Sequence, residues 1–253
     1  MNNAAIIAVG TELLFGTTIN TNAAYISERL HELGIGVLAH HVTGDNALRL
    51  TKTLEISFEE ADIVLITGGL GPTQDDLTKE TVASFMGAEL IFDDEAMRQL
   101  DERMKARGRT TYTQNNIKQA YLPEGCVAFY NNAGTAPGFA LEKDDRLVIA
   151  LPGPPHEMEQ MMADSVIPFL TGRSDKTIYS EMLVFYNIGE SLLETILLPL
   201  IDGQTDPTIA TYAKPGECTV RITSMRHSAK EAHAAVKQMV EQAKALVGEY
   251  QTS

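Results

Sequence analysis

Two adjacent aspartates, Asp75 and Asp76, follow the glycine run Gly68-Gly69-Leu70-Gly71 at the end of an apolar stretch, Ile63-Val64-Leu65-Ile66. Glycines at the carboxyl end of a buried strand let the backbone approach a ligand, and the N–H groups that open a helix favour negative charge. Carboxylates in such a turn would repel a bare phosphate. Acid beside a phosphate-shaped loop therefore implies a divalent cation between protein and phosphate, or a base aimed at an attacking water. The combination points to a nucleotide or pyrophosphate site.

Better-known motifs are excluded by the residues that follow. A Walker A loop needs Gly-Lys-Ser/Thr, and a dinucleotide fingerprint needs a glycine two residues beyond Gly69-Leu70-Gly71, where this chain reads Pro72-Thr73-Gln74. His156-Glu157 is not a zinc protease motif, because the fourth residue after His156 is Gln160. His40 and His41 are neighbours in a strand pattern, so their rings face opposite ways. The histidines are read as noncatalytic.

The elements that must carry the glycine turn follow from hydrophobic periodicity. Ala5 to Val9 reads as a buried strand ending at Gly10, Asn20 to Leu33 as a helix ended by Gly34, and Ile35 to Val42 as a second strand. Asn46 is placed to cap a helix bearing Leu48, Leu50, Leu54 and Phe58, and a further helix is expected from near Asp76 to Met86. Strand–helix–strand units of this length imply right-handed crossovers and a parallel sheet, with ligands beyond the carboxyl ends of the strands. Thr11 and Glu12 share that edge with Gly10 and Gly68.

A polar helix is expected over Asp93 to Arg109 and a short one over Gln114 to Ala120. Val127 to Tyr130 and Phe139 to Glu142 read as paired strands, and Arg146 to Leu151 as a strand running into Pro152-Gly153-Pro154-Pro155 and a helix. After Gly172 a strand–helix–strand–strand–helix order suggests a small α+β domain. The expected domains are residues 1–172 and 173–253.

The net charge of −14 disfavours nonspecific binding to nucleic acid or anionic membrane. No apolar run approaches a membrane span, and the N-terminus lacks a signal peptide's basic region and apolar core, so a cytoplasmic location is expected. Cys126 and Cys218 form no Cys-x-x-Cys pair and read as free thiols.

Several motifs now stand in order: Val9-Gly10-Thr11-Glu12-Leu13-Leu14, Gly16, Ile19-Asn20-Thr21-Asn22, Gly44-Asp45-Asn46, the Gly68 to Thr78 turn, Asn132-Ala133-Gly134-Thr135-Ala136-Pro137-Gly138 and Leu151-Pro152-Gly153-Pro154-Pro155-His156-Glu157-Met158. Together they resemble the N-terminal module of the competence/damage-inducible CinA proteins, a branch of the molybdopterin-binding fold superfamily. Residues beyond 172 resemble that family's KH-like domain. The resemblance implies an α/β fold, a doubly wound and mostly parallel sheet, with a smaller C-terminal α+β KH-like domain. It also implies a pyrophosphatase dependent on Mg²⁺ or Co²⁺, with K⁺ a further candidate cation, that cleaves ADP-ribose to AMP and ribose 5-phosphate. Many members add a deamidase for nicotinamide mononucleotide; the chain stops at Ser253, so that activity is not expected here.

On this resemblance Asp76 is assigned to metal binding or water orientation, with Asp75 as its alternate and Thr78 completing the superfamily's Asp-x-Thr pattern. A helix cap is the plainer alternative for either aspartate. Asp45 matches the superfamily's second acid and could share a cation with Asp76; an Asx turn with Asn46 is its alternative. Gly68, Gly69 and Gly71 are expected to offer N–H groups to phosphate, with Gly10, Thr11 and Glu12 beside them. Glu12 is a candidate for metal or ribose hydroxyls, or for a contact with Asn20 or Asn22. Asn132, Gly134, Thr135 and Pro137 are expected to wall the pocket, and Gly153 and Pro154 to line its other side. Lys214 and Arg221 are candidates for a phosphate clamp, with hairpin surface charge as the alternative.

Leu70 replaces the threonine that the molybdenum-cofactor branches carry in this turn. A molybdopterin-binding or adenylyl-transfer protein and a catalytically silent nucleotide or pterin module are the rival functions. A Gly-x-x-Gly loop is missing after Arg173, so RNA is not expected as a partner. The expected partners are a small nucleotide and a second copy of the chain.

Overall fold

The computed structural model describes residues 3–106, 108, 113–173, 177–214 and 216–250. It divides into two compact units, Met1–His31 with Ile35–Gly172, and Glu32–Gly34 with Arg173–Ser253. Arg109, the expected end of the polar helix, lies outside the described residues.

The first unit opens with β1 (Asn3–Val9), the short α1 (Thr11–Leu14), α2 (Thr21–Glu32), β2 (Gly36–Thr43), α3 (Ala47–Glu60), β3 (Ile63–Thr67) and α4 (Thr78–Met86). It continues with β4 (Leu90–Phe92), α5 (Asp94–Ala106), α6 (Gln114–Ile117), β5 (Tyr121–Pro123), β6 (Val127–Phe129), β7 (Gly138–Lys143) and β8 (Arg146–Leu151). The helices α7 (Pro155–Met161) and α8 (Ile167–Thr171) complete it, joined by a wide helical turn. Pro168 has no N–H to continue the regular ladder there.

The main sheet runs in the order β2-β1-β3-β8-β7-β6. The pairs β1–β2, β1–β3 and β3–β8 are parallel, whereas β7 is antiparallel to both β8 and β6. Central β3 is buried at every position, as a parallel strand covered on both faces must be. Edge strand β2 instead alternates exposed and half-buried residues until Thr43. The core is built by Ile7, Ile66, Val82, Phe139, Val148 and Ala150 across β1, β3, α4, β7 and β8. Parallel pairing brings the loops after β1, β2, β3 and β8 to one edge, where β1 lies between β2 and β3.

The second unit is a three-stranded antiparallel sheet, β9 (Thr177–Tyr186), β10 (Thr208–Lys214) and β11 (Glu217–Arg226), in the order β10-β11-β9. Its helices are α9 (Glu190–Ile201) and α10 (Ala229–Val247). Phe185, Leu193, Val220, Ile222, Val236 and Val240 form its core.

Two local expectations change. The helix after the glycine turn starts at Thr78, two residues beyond Asp76, because the Asp76 carboxylate folds back onto Thr73 and Leu77 occupies the cap position without a side-chain bond. The β4–β5 ribbon was not expected; each strand has only three residues, too few to show alternation.

Candidate active site

The turn after β3 is shaped by contacts that tolerate no side chain. Gly68 and Gly69 have φ of 103° and 68°, and a Cβ on Gly68 would fall 2.1 Å from the Val9 carbonyl oxygen. A Cβ on Gly69 would fall 2.2 Å from Thr78 Oγ1. That hydroxyl is fully buried and donates to the Gly68 carbonyl at 2.8 Å, while the Thr78 N–H donates to the Gly69 carbonyl. Thr78 therefore locks the turn from beneath, which corrects its assignment as a substrate ligand.

The N–H groups expected to meet phosphate are also redistributed. The Gly68 N–H donates to the Leu151 carbonyl and the Gly10 N–H to the Thr43 carbonyl, both at 3.0 Å, so neither is available to a ligand. Among the described residues, the N–H groups of Gly69, Leu70 and Gly71 have no hydrogen-bond partner. Successive unpaired N–H groups are the donor type from which anion-binding concavities are built.

Asp76 is fixed beside these donors. Its Oδ2 accepts from the Thr73 N–H at 2.8 Å and from Thr73 Oγ1 at 2.7 Å, and its own N–H donates to the Thr73 carbonyl. Only a glycine leaves room for this carboxylate, since a Cβ on Gly71 would lie 2.6 Å from Oδ2. Asp45 repeats the arrangement after β2: its Oδ2 accepts from the Thr11 N–H at 3.0 Å and from Thr11 Oγ1 at 2.7 Å. In both residues Oδ1 has no partner among the described residues. Neither aspartate caps a helix through its side chain, and Asp45 binds Thr11 rather than closing an Asx turn. Asp75 is exposed.

A cavity of about 120 Å³ adjoins the end of β1, lined by Glu12, Asn20, Asn22, Thr67 and Gly153 among others. Glu12 is exposed and lies close over Gly10, where a Cβ would meet Oε1 at 2.4 Å; it makes no bond to Asn20 or Asn22. Asn22, which the sequence offered only within a motif and as a possible partner of Glu12, has a structural task. It is buried, and its Nδ2 donates to Thr67 Oγ1 and to the Gly153 carbonyl, both at 2.8 Å. Thr67 Oγ1 donates onward to the Pro152 carbonyl. One amide thus ties the ends of β3 and β8 to the start of α2.

The loop before β7 is organised by Asn131 rather than Asn132. Asn131 Oδ1 accepts from the N–H groups of Ala133 and Gly134, and its Nδ2 donates to the Ala136 carbonyl and to Glu157 Oε2. Gly134, Thr135 and Pro137 line a small cavity against Ala96 and Gln99 of α5, and exposed Asn132 borders another with Arg98 and Arg103. These four residues thus face α5, and the loop reaches the carboxyl edge through Glu157 of α7, the helix that Gly153 and Pro154 introduce. The Asx signal lay in the first asparagine of Asn131-Asn132-Ala133-Gly134. Lys214 and Arg221 belong to the second unit; Lys214 ends β10, and the Arg221 guanidinium stands 6.0 Å from the ring of Tyr212 on the paired strand.

Among the described residues no group of three or more His, Cys, Asp or Glu side chains is gathered to form a closed metal cage. Asp45 and Asp76 are two anchored carboxylates, each with one unpaired oxygen, the donor type a hard cation takes together with phosphate oxygens and waters. The two loops flank β1, which sets β2 and β3 about 10 Å apart.

Comparison with known proteins agrees with this architecture. Residues 5–172 match the family described as "Probable molybdopterin binding domain", and residues 180–251 match "Damage-inducible protein CinA KH domain". The first unit is thus of the molybdopterin-binding class. A "Putative competence-damage inducible protein" of Acetivibrio thermocellus is 51% identical over 232 residues, covering 90% of this chain and 55% of the relative. Its namesake in Bacillus mycoides is 47% identical over 249 residues, covering 98% and 60%. The crystal structure of "the protein CinA with unknown function" from Thermoplasma acidophilum superposes with a TM-score of 0.59 at 37% identity, covering 64% of this chain and 94% of that one. The chain belongs to the CinA family. It spans 55% and 60% of the length of the two curated relatives. Among the described residues no helix is long and apolar enough to cross a membrane.

Proposed function

We propose that the chain is a divalent-metal-dependent pyrophosphatase acting on nucleoside diphosphate derivatives, with ADP-ribose, cleaved to AMP and ribose 5-phosphate, as its leading substrate. The observation that carries this reading is the pair Asp45 and Asp76, each anchored through Oδ2 and unpaired at Oδ1, with a run of unpaired N–H groups in the turn that carries Asp76. A pterin-binding role alone leaves those carboxylate oxygens without a task.

Mg²⁺ or Co²⁺ held by Asp45 and Asp76 would neutralise charge on the phosphoryl oxygens. The N–H groups of Gly69, Leu70 and Gly71 hold the diphosphate and fix its orientation. Asp76, rigid through Thr73, accepts a hydrogen bond from the attacking water and aligns it with the phosphorus. Glu12 accepts from sugar hydroxyls, because an exposed carboxylate without a protein partner suits a diol better than an anion. The adjoining cavity of about 120 Å³ takes one such group and not a whole nucleotide, for which a pocket of roughly 300 Å³ or more is usual.

The test is a substrate panel. Metal-stripped protein is given ADP-ribose, FAD, NADH or molybdopterin, with and without Mg²⁺ or Co²⁺, and products are separated by chromatography. AMP release from ADP-ribose that needs the metal supports the proposal. Tight molybdopterin binding with no AMP from any diphosphate replaces it with the pterin reading.

A further inference from the structure

The loop that carries Asp76 is clasped from outside by one segment. Lys118, just after α6, donates from Nζ to the Asp76 backbone carbonyl at 2.7 Å and pairs with Glu80 at 3.3 Å. Lys79, the second residue of α4, returns the contact by donating its Nζ to the Lys118 backbone carbonyl. Gln119, only 2% exposed, lies against the Leu70 carbonyl at 3.5 Å, and Gln74 reaches Asn115 at 3.4 Å. Two segments some forty residues apart therefore exchange lysines, each holding the other's backbone.

The consequence for Asp76 is that three of its polar groups are fixed: the N–H and Oδ2 by Thr73, and the carbonyl by Lys118. Only Oδ1 stays unpaired. A bond from a cation to a carbonyl is stronger than a neutral one, and this one lies in a part-buried place where water competes poorly. Lys118 restrains the backbone on the carboxyl side of Asp76, as Thr73 restrains its N–H and its carboxylate, so the chain on both sides of the residue is held.

We propose that Lys118 is the positioning residue of the metal site, setting metal affinity through the Asp76 backbone without touching metal or substrate. This rests on the reading of Asp76 as a metal ligand. Loss of a supporting partner behind a ligand typically weakens metal binding roughly 10- to 100-fold, so Lys118→Met is expected to weaken Co²⁺ binding about tenfold. Lys118→Arg, which keeps a cation able to reach the carbonyl, restores most of the loss, and Glu80→Gln leaves the affinity near wild type.

The measurement is Co²⁺ titration by calorimetry and visible absorption, with the methylene-bridged analogue of ADP-ribose present. A folded Lys118→Met protein with wild-type Co²⁺ affinity overturns the inference. So does an unchanged Co²⁺ affinity joined to a weaker affinity for the analogue, which would make Lys118 a phosphate ligand. Should Lys118→Met fail to fold, Lys118→Gln, too short to reach Asp76, carries the same expectation. Absence of Co²⁺ binding in the wild type would instead remove the metal reading itself, before Lys118 enters.

Discussion

Thr78 and Lys79 are neighbours at the start of one helix, both buried, and each gives its side-chain donor to a backbone carbonyl. Their roles were unequally legible. The motif marked Thr78 as polar and near the site, but not that its hydroxyl points inward to Gly68. Lys79, to which the sequence motifs assigned no role, stands three, four and seven residues before Val82, Ala83 and Met86, the spacing of one helix face. Burial pulls its ammonium from 10.5 down to about 8, against an opposing pull from Glu80 and with help from Lys118. Below pH 8 both folded and unfolded chains carry the proton; between about 8 and 10.5 the folded chain releases it first, so stability rises with pH. The unfolding free energy of the wild type relative to Lys79→Met is expected to widen by roughly 2 kcal/mol between about pH 7.5 and about pH 9.5. Urea melts at the two pH values measure it, and a constant difference would contradict burial of the charged form.

At the scale of elements, the long buried strands and capped helices were readable because one interaction dominates each. Asn46 accepts from the Arg49 N–H at 3.0 Å at the start of α3, as its sequence position before an amphipathic run required. Asn46→Ala is expected to lower stability by about 1 kcal/mol in chemical unfolding; a change indistinguishable from zero would mean that tertiary packing alone fixes the helix start. Elements defined by long-range pairing were less legible. The β4–β5 ribbon is held by partners some thirty residues apart, and no periodicity over three residues announces it. The carboxyl edge itself was foreseen from the alternation of strands and helices, but which N–H groups stay unpaired was not. Gly68 and Gly10 look identical to Gly69 and Gly71 in the sequence, and only the pairing with Leu151 and Thr43 removes them.

For the whole molecule, the net charge of −14 opposes the approach of an anionic diphosphate, so the proposed reaction requires local donors and a cation to overcome an unfavourable field. Screening shortens that field to about 10 Å at 0.1 M salt. The KM for ADP-ribose at fixed Mg²⁺ and fixed K⁺ should therefore fall as NaCl rises from very low to near-physiological concentration; a steep increase would show that attraction, not repulsion, governs capture. The central claim is that Asp45 and Asp76 form a metal-dependent centre for breaking a pyrophosphate. Its most direct test is AMP release from ADP-ribose by Asp45→Asn and Asp76→Asn beside the wild type, over a Mg²⁺ titration, with thermal unfolding as the control for folding. The expected result is turnover by the wild type only with Mg²⁺, and a loss of at least about 100-fold in each variant at a near-unchanged melting temperature. Full turnover in either folded variant would contradict the claim.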